Sequence, residues 1–257
     1  MDRLNRKAGV IVLRWGLTLV VAAVILIPLF WIFISSITPK TMLFQTPVDY
    51  WPDTPTLENY IDIFTGLNFM KKAGNTLLIT FAAMALAIGF GLLGAYGFSK
   101  FRSRGLSIVY GALLFSILMP GIITARALYD LLRTVSLLDT YPGLIFVYAS
   151  IITPFTLMIL RNSLDSIPHS IEEAAEIDGA GLFQKIFFIN FPLLRPALAT
   201  VAIIDFIICY NEFFAPLIYA YRIETLSVGI TTISVIGEYH VPWEKISSMG
   251  WLMIAPI

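Results

Sequence analysis

The stretch TLLITFAAMALAIGFGLLGAYGF, residues 76–98, decides the fold because its 23 residues contain no charged side chain. At 1.5 Å per residue a helix of this length reaches about 34 Å, which is enough to cross the roughly 30 Å hydrocarbon core of a bilayer. Small residues recur here at every fourth position, and such faces let membrane helices approach one another closely. The stretch therefore predicts a membrane-spanning helix whose packing ridge is formed by Ala83, Ala87, Gly91, Ala95 and Ser99.

Three glycines of this stretch also match a nucleotide-binding pattern. Gly89, Gly91 and Gly94 have the spacing G-x-G-x-x-G, which binds dinucleotides only where a strand precedes it and a helix follows. Here the pattern lies within a long apolar segment. We therefore interpret these glycines as packing residues.

Four further apolar segments predict membrane-spanning helices, namely residues 16–37, 106–123, 143–160 and 197–219. A sixth segment begins near Ile246 and has 12 residues up to Ile257, which makes a helix of about 18 Å, too short to cross. We favour a sixth span that is cut off here over a re-entrant segment. The predicted fold is all-α, a polytopic membrane helical bundle of five full spans plus a partial sixth. Residues 1–257 are expected to form a single transmembrane domain.

The composition agrees with a membrane protein. Hydrophobic residues make up 58% of the chain and charged residues 13%, whereas soluble domains have roughly 45–50% and 25%. The net charge is zero, so no basic surface points to nucleic acid, and membrane lipids are the expected surroundings. One cysteine, Cys209, and two distant histidines, His169 and His240, predict neither a disulfide framework nor a metal site.

The basic N-terminus allows two interpretations, a signal peptide or a retained first span. Residues 16–37 form an apolar run of 22 residues without a small-residue cleavage signal, longer than the roughly 7–15 residues of a signal-peptide core. A retained span is therefore favoured.

Clustered Lys and Arg predict the orientation, since they are enriched in cytoplasmic segments near span ends. The clusters are Arg3, Arg6 and Lys7 at the N-terminus and Lys100, Arg102 and Arg104 after the second span. The N-terminus is therefore expected in the cytoplasm. With alternating spans, residues 161–196 are cytoplasmic too, and residues 221–245 are external.

Residues 125–142, between the third and fourth spans, predict an amphipathic external helix. Its apolar positions have helical spacing and are Leu128, Leu131, Leu132, Val135 and Leu138. Such a helix either caps the bundle or gates a path through it.

The loop of residues 161–196 is long and reads as structured. Ser170 and Glu173 have the spacing of a capping box, which predicts a helix start, and Gly179 predicts its end because glycine accepts the left-handed conformation. A second helix is expected up to Pro192, with Phe183, Ile186, Phe187 and Ile189 on its apolar side, and Pro196 opens the fifth span. This short acidic helix suits docking into a groove of another protein, but a self-contained surface hairpin is equally compatible with the residues.

The segments EAAEIDGA, residues 173–180, and INFP, residues 189–192, resemble the EAA loop of binding-protein-dependent ABC importer permeases. The family pattern is E-A-A, three residues, G, nine residues and I-x-L-P, and every spacing fits, with Phe191 in place of leucine. The resemblance implies that this loop carries a coupling helix that docks into a cleft of the cytoplasmic ATPase. The coupling residues implied in this way are Glu172, Glu173, Ala174, Ala175, Asp178, Gly179 and Ala180.

Residues 44–249 are similar to the carbohydrate branch of this family, the maltose-transporter type. The segments that carry this similarity are Leu57-Glu58-Asn59-Tyr60, Asn75-Thr76-Leu77, Met119-Pro120, residues 137–144, Pro154-Phe155, and Asn211-Glu212-Phe213 with Pro216-Leu217. Tyr210 stands where the branch usually has Trp, and the resemblance implies a complete last span with a cytoplasmic tail, which residues 246–257 are too short to provide.

The resemblance implies an assembly in the inner membrane of a prokaryotic cell. Its other members would be two ATP-binding cassette ATPase subunits, a second homologous permease and an extracytoplasmic solute-binding protein. ATP-Mg would be used by the ATPase subunits, and no cofactor is expected on this chain.

The fifth predicted span contains polar groups, which are costly inside a membrane. Asp205, Cys209 and Glu212 share one helix face, which should look into the bundle or a water-filled path. Tyr210, Asn211 and Glu212 are the candidate residues for a substrate path. The alternative is a structural hydrogen bond between helices, which is favoured for Asp205 and equally weighted for Glu212.

The sequence contains no G-x-x-x-x-G-K-[ST] phosphate loop and no plausible nucleophile–base or paired-carboxylate arrangement. It is therefore predicted to be a permease subunit, without ATP binding or enzyme activity of its own. The alternatives are a stand-alone channel or ion-coupled secondary transporter, which predicts inverted repeats or interrupted helices, and, less favoured, an intramembrane enzyme.

Overall fold

The computed structural model describes residues 2–43, 45, 50–101, 103–233 and 241–257, and only the backbone at residues 2–10 and 12. Phe44, Arg102 and His240, which the sequence analysis considered, lie outside the described residues. The described part is helical and contains no strand, which confirms the all-α prediction. Its helices are α1 (Asp2–Ile37), α2 (Glu58–Gly66), α3 (Phe69–Lys100), α4 (Arg104–Ile117), α5 (Gly121–Thr134), α6 (Tyr141–Asp165), α7 (His169–Ile177), α8 (Leu182–Leu193), α9 (Arg195–Tyr210), α10 (Phe214–Tyr219), α11 (Leu226–Thr232) and α12 (Trp243–Ile254).

The chain packs as two compact units. One consists of Met1–Met70 with Ile230–Ile257, and the other is Lys71–Gly229. The candidate loop and the helices that support it belong to the second unit. The single-domain interpretation stays a prediction.

Among the described residues, three helices are long and apolar enough to cross a membrane: Leu13–Ile37 within α1, α3 and α6. Two bent helix pairs, α4 with α5 and α8 with α9, would raise the number to five if each pair were one span. The predicted number of spans therefore remains a prediction.

The small-residue ridge of α3 is a packing face, as predicted. Ala83, Ala87 and Ala95 are fully buried. A Cβ atom added at Gly91 would stand 2.8 Å from Cγ2 of Thr156 in α6, and one at Gly94 would stand 2.8 Å from Cδ1 of Leu157. Gly91 and Gly94 therefore let α3 and α6 approach closely, as expected. The packing role predicted for Gly89 is wrong, because nothing lies within 4 Å of a Cβ atom added there.

The predicted third span, residues 106–123, is wrong in its bounds. Helix α4 ends at Ile117, and α5 begins at Gly121 after a bend of 109°. Pro120 lies at the bend with extended backbone, φ −60° and ψ 130°. It has no amide hydrogen to continue α4 and disfavours helical geometry in the preceding residue, so the helix stops before it.

The predicted fifth span, residues 197–219, is also interrupted. Helix α9 ends at Tyr210 and α10 begins at Phe214. Pro216 has no amide to donate to the carbonyl of Glu212. That carbonyl accepts instead from Ser227 Oγ at 2.6 Å and from the Tyr148 hydroxyl at 3.4 Å. Such replacement partners are what make a broken helix tolerable inside a membrane.

The amphipathic helix predicted at residues 125–142 begins and ends earlier, as α5. Leu128 and Leu132 pack against the core of the second unit, whereas Leu131 and Val135 are exposed. After α5, the backbone turns through Ser136 and Asp139, both with positive φ. Asp139 Oδ1 then accepts the amides of Tyr221 and Arg222 at 2.9 and 3.0 Å.

The sixth apolar segment forms α12, which begins at Trp243 rather than near Ile246. Its Ser248 hydroxyl donates to the Ser36 carbonyl of α1 at 2.9 Å. Trp251 packs on Phe33 with 5.1 Å between ring centroids. Helix α12 is therefore an integral part of the first unit.

Candidate functional site

Helix α7, in the loop of residues 161–196, has two distinct faces. Glu172 and Ala175 are buried, three residues apart on the side that faces the protein. Glu173 and Ala174 are exposed, and Ile177 is 87% exposed. The outer face of α7 therefore carries both an acid and a large uncovered apolar side chain.

The start of α7 differs from the predicted capping box. Pro168 is the residue before the helix, with ψ 129°, and no side chain caps the helix. Ser170 therefore lies inside the first turn, where its hydroxyl is no longer in the capping position. Proline is well suited to this boundary because it lacks the amide hydrogen that would otherwise need a partner.

The end of α7 is the predicted glycine stop. Gly179 has φ +84°. Its amide donates to the Glu176 carbonyl at 3.0 Å, and the Ala180 amide donates to the Ala175 carbonyl at 2.9 Å. These two bonds form a Schellman motif, which fixes the last turn of the helix and the direction of the chain after it.

Glu172 anchors α7 to two other elements. Its Oε2 lies 2.9 Å from Nζ of Lys100, the last residue of α3, and its Oε1 accepts from Asn190 Nδ2 at 2.9 Å. The Lys100 and Glu172 side chains are only 17% and 10% exposed. In the sequence, Lys100 belongs to a charge cluster and Glu172 to the implied coupling residues. Their pairing could not be predicted, because 72 residues separate them along the chain.

A second ion pair joins α7 to α8. Lys185 of α8 donates to Glu176, whose side chain is 59% exposed. The hydrogen bond from the Lys185 ammonium lowers the pKa of Glu176, and the same bond raises the pKa of Lys185. Because solvent screens this pair, it adds little to stability.

Helix α8 continues the exposed surface. Its residues Lys185–Asn190 form a π-helical segment, a rare geometry that frequently marks functional sites. Of its predicted apolar side, Ile186 is buried, whereas Phe183 is largely exposed and stacks on Phe187 at 4.5 Å. The helix also runs one residue past Pro192, to Leu193, before the chain bends into α9.

The exposed side chains of α7 and α8 therefore form one surface, which we call the loop surface. It consists of Glu173, Ala174, Ile177, Asp178, Leu182, Phe183 and Phe188. Of the predicted coupling residues, Glu173, Ala174, Asp178 and Gly179 are exposed, Ala180 is half-buried, and Glu172 and Ala175 face inward.

The candidate path residues of the fifth span have separate environments. Tyr210 is buried and stacks on Phe206 at 5.3 Å. Asn211 is exposed, and its Nδ2 donates to the Ile207 carbonyl at 2.9 Å. Glu212 is half-buried, and its Oε1 accepts the Ala215 amide at 2.8 Å, which caps the start of α10.

Asp205 is buried and accepts a hydrogen bond from Thr156 Oγ1 of α6 at 2.8 Å. Cys209 on the same face is buried too. Asp205 and Cys209 therefore face inward, and Asp205 makes the interhelical hydrogen bond that was favoured for it. Glu212 does not continue this helix face, because α9 ends at Tyr210. Among the described residues, no three His, Cys, Asp or Glu side chains come together as metal ligands.

Two curated relatives are permeases of sugar uptake systems. The diacetylchitobiose uptake permease of Streptomyces coelicolor is 31% identical over 195 residues, which are 76% of this chain and 64%, less than two thirds, of the relative. The sulfoquinovosyl glycerol transport permease of Agrobacterium fabrum is 28% identical over 239 residues, 90% of this chain and 81% of the relative. Permeases of this kind transport solutes and are not enzymes.

A solved structure has the same fold. It is a chain of a bacterial ABC transporter involved in the import of the acidic polysaccharide alginate, with a TM-score of 0.82 and 25% identity over 95% of this chain and 91% of that chain. No family model matches the sequence.

Proposed function

Because the chain belongs to the carbohydrate branch of the ABC-importer permeases, we propose that it is a membrane-spanning subunit of an ATP-driven importer for a sugar or related solute. In this proposal it forms the translocation path together with a second, homologous permease. Two ATPase subunits bind on the cytoplasmic side and a solute-binding protein on the other side. The N-terminus and the loop of residues 161–196 are cytoplasmic.

The observation that carries the proposal is the two-faced helix α7. Its inner face is tied to the protein through Glu172, while Glu173 and Ile177 on its outer face are left exposed by the described part of the chain. The Schellman motif at Gly179 holds this face in a fixed orientation. A short rigid helix of this kind can fit into a cleft of an ATPase subunit and move with it.

The energy for transport then comes from the ATPase subunits, which bind ATP-Mg. Closure of the two ATPase subunits on ATP would displace α7, and the displacement would switch the path between inward-facing and outward-facing states. This chain contributes the mechanical contact and the path, not the hydrolysis.

We place the path beside the break between α9 and α10. Asn211 is the candidate there because its side chain is exposed and its position follows the last helical turn of α9. Its amide retains donor and acceptor capacity for sugar hydroxyl groups. In this proposal Glu212 and Tyr210 line the path less directly, and their contacts hold the backbone of the break in place.

The decisive experiment is co-purification of the ATPase subunits with tagged variants of this chain. Glu173→Lys reverses a charge on the exposed face without disturbing buried contacts, and Gly179→Val puts a β-branched residue at φ +84°, where left-handed geometry costs about 1–2 kcal/mol. Both variants should reach the membrane but lose most of the bound ATPase. Gly179→Asn, which tolerates positive φ, should retain more of it.

The control is Asp53→Lys, the same charge reversal at an exposed residue of the loop predicted to be external. It should retain the ATPase. Normal association of Glu173→Lys and Gly179→Val would refute the docking role of α7. Transport of a sugar by the purified chain alone in liposomes would favour the stand-alone carrier instead.

A further inference from the structure

Three elements of the second unit meet at the carboxylate of Glu172. The ammonium of Lys100 comes from the end of α3, and the side-chain amide of Asn190 comes from the π-helical segment of α8. Asn190 is fully buried, and its Nδ2 also donates to the Lys185 carbonyl at 3.0 Å. Helix α7 is thereby joined to the end of a predicted span by a single, nearly enclosed ion pair.

Helix α7 depends on such contacts for its position. It has nine residues, and isolated helices shorter than roughly 12–15 residues are marginal in water. Its other inward residue within the helix, Ala175, has only a methyl group to pack. The position of α7 relative to α3 therefore rests mainly on Glu172.

The enclosure of the Glu172 carboxylate distinguishes this pair from the neighbouring one, in which Lys185 is 14% exposed but the Glu176 carboxylate is 59% exposed. Removing one partner of a buried ion pair leaves the other charge without compensation, which is strongly unfavourable. The Glu176 carboxylate, which pairs with Lys185, can be solvated by water when its partner is lost. The Lys100–Glu172 pair therefore resists separation when α7 is pulled or pushed, whereas the Glu176–Lys185 pair does not.

We propose that Lys100 and Glu172 are positioning residues that attach α7 to the end of α3, so that a displacement of α7 moves α3 with it. The inference rests on the proposed function, since it assumes that an ATPase displaces α7. It adds to that function the contact through which a movement of α7 is transmitted to a predicted membrane-spanning helix. Helix α3 carries the movement onward because its ridge packs against α6 at Gly91 and Gly94.

The test uses Lys100→Met, Glu172→Gln and the charge swap Lys100→Glu with Glu172→Lys. Glutamine at position 172 keeps one oxygen as the acceptor for Asn190 and replaces the charged oxygen that binds Lys100 with an amide group that cannot accept from it. In the swap, the Asn190 amide can rotate so that its Oδ1, which has no hydrogen-bond partner, accepts from the new lysine. Lys185→Met is the matched control because it removes an ammonium that is about as buried as that of Lys100, but whose partner on α7, Glu176, is exposed.

The first measurement is hydrogen exchange of the amides of residues 169–177 in the full chain. Both single variants should exchange about tenfold faster, which corresponds to about 1.4 kcal/mol of local stability, and the swap should return toward the unsubstituted rate. Lys185→Met should change little. Unchanged exchange in both single variants would overturn the proposal, whatever solute the protein carries.

The second measurement compares ATP hydrolysis and solute uptake by the assembly in liposomes. Diacetylchitobiose, sulfoquinovosyl glycerol and alginate oligosaccharides serve as probes, together with the solute-binding protein. The single variants should retain bound ATPase and hydrolyse ATP, but import less solute per ATP, and the swap should restore that ratio. A purely structural role would lower assembly and uptake together without changing the ratio, and that result would overturn the proposal. Failure of the unsubstituted chain to retain an ATPase would instead refute the proposed function.

Discussion

Gly91 lies where α3 packs closely on α6, and the absence of a side chain there leaves room for Thr156, which makes a polar contact with Asp205. A Cβ atom at this position would stand 2.8 Å from Thr156 Cγ2, and the Oγ1 atom of the same side chain donates to Asp205 at 2.8 Å. Asp205 is fully buried, and its other oxygen has no hydrogen-bond partner. Thr156 is therefore the group that satisfies this carboxyl, so a shift of Thr156 also disturbs Asp205.

We expect Gly91→Ala to destabilise the protein by about 1–3 kcal/mol, the usual cost of overpacking a close contact. Gly91→Leu should cost more and reduce assembly. The control is Gly89→Ala, because nothing lies within 4 Å of a Cβ atom added at Gly89. Thermal unfolding of the purified chain in detergent gives the comparison, and equal melting temperatures for the three variants and the unsubstituted chain would show that the ridge does not pack as described.

Asp139 fixes the loop after α5 through a charge-dependent contact. Partial burial pushes the pKa of Asp139 up, but the amide hydrogen bonds from Arg222 and Tyr221, together with the Arg222 charge, outweigh it and leave the pKa lowered. A carboxyl whose pKa is lower in the folded state stabilises the fold above its unfolded pKa of about 3.9, and this stabilisation disappears as the pH falls through the folded pKa.

We therefore expect the unsubstituted chain to lose stability as the pH falls below about 4, because the unfolded chain then binds a proton at Asp139 while the folded chain still holds it ionised. Asp139→Asn should be less stable at neutral pH and lose less on acidification, because asparagine tolerates the positive φ but carries no charge. Melting temperatures measured between neutral and acidic pH report the difference. Parallel curves for the two proteins would mean that this carboxylate contributes nothing.

At the scale of helices, α9 and α10 show how a break is stabilised. The Glu212 side chain caps α10, and the Glu212 backbone carbonyl accepts hydrogen bonds from the hydroxyl groups of Ser227 and Tyr148. The carbonyl contact depends on the backbone alone, whereas the cap depends on an acceptor at the side-chain oxygen. Glutamine preserves that acceptor, and alanine removes it.

We expect Glu212→Ala to cost on the order of 1 kcal/mol, as the loss of a helix cap does, and Glu212→Gln to cost little. Sugar uptake should follow the same order if Glu212 only shapes the break. Uptake abolished in Glu212→Gln while its melting temperature stays unchanged would assign the charge of Glu212 to the path itself. Both variants should be measured for melting temperature and for uptake by the assembly.

The same helices show what could be predicted from sequence and what could not. The ridge of α3 and the stop at Gly179 depend on local spacing and backbone preference, so the sequence predicted them. The break after Tyr210 requires partners for the Glu212 carbonyl, and Tyr148 is 64 residues away. Likewise, the start of α7 at Pro168 and the inward direction of Glu172 depend on Lys100 and Asn190, which no local pattern connects with this helix.

At the scale of the whole molecule, the arrangement across the membrane determines whether α7 can meet an ATPase. The charge clusters at the N-terminus and around Lys100 predict that the loop of residues 161–196 lies in the cytoplasm. The pairing of Lys100 with Glu172 agrees with this arrangement, since it puts the end of α3 and the loop on the same side of the second unit. The predicted external side contains α5.

Cysteine labelling in sealed cells tests this orientation with little background, because the native Cys209 is buried. Gln184→Cys on α8 and Leu131→Cys on α5 both introduce a thiol at an exposed position. A membrane-impermeant maleimide should label Leu131→Cys in sealed cells, and Gln184→Cys only after the membrane is permeabilised, because a charged reagent does not cross the hydrocarbon core. The reverse pattern would place α7 outside the cell, where no ATP-driven partner could bind it, and would contradict both the orientation and the docking role of the loop surface.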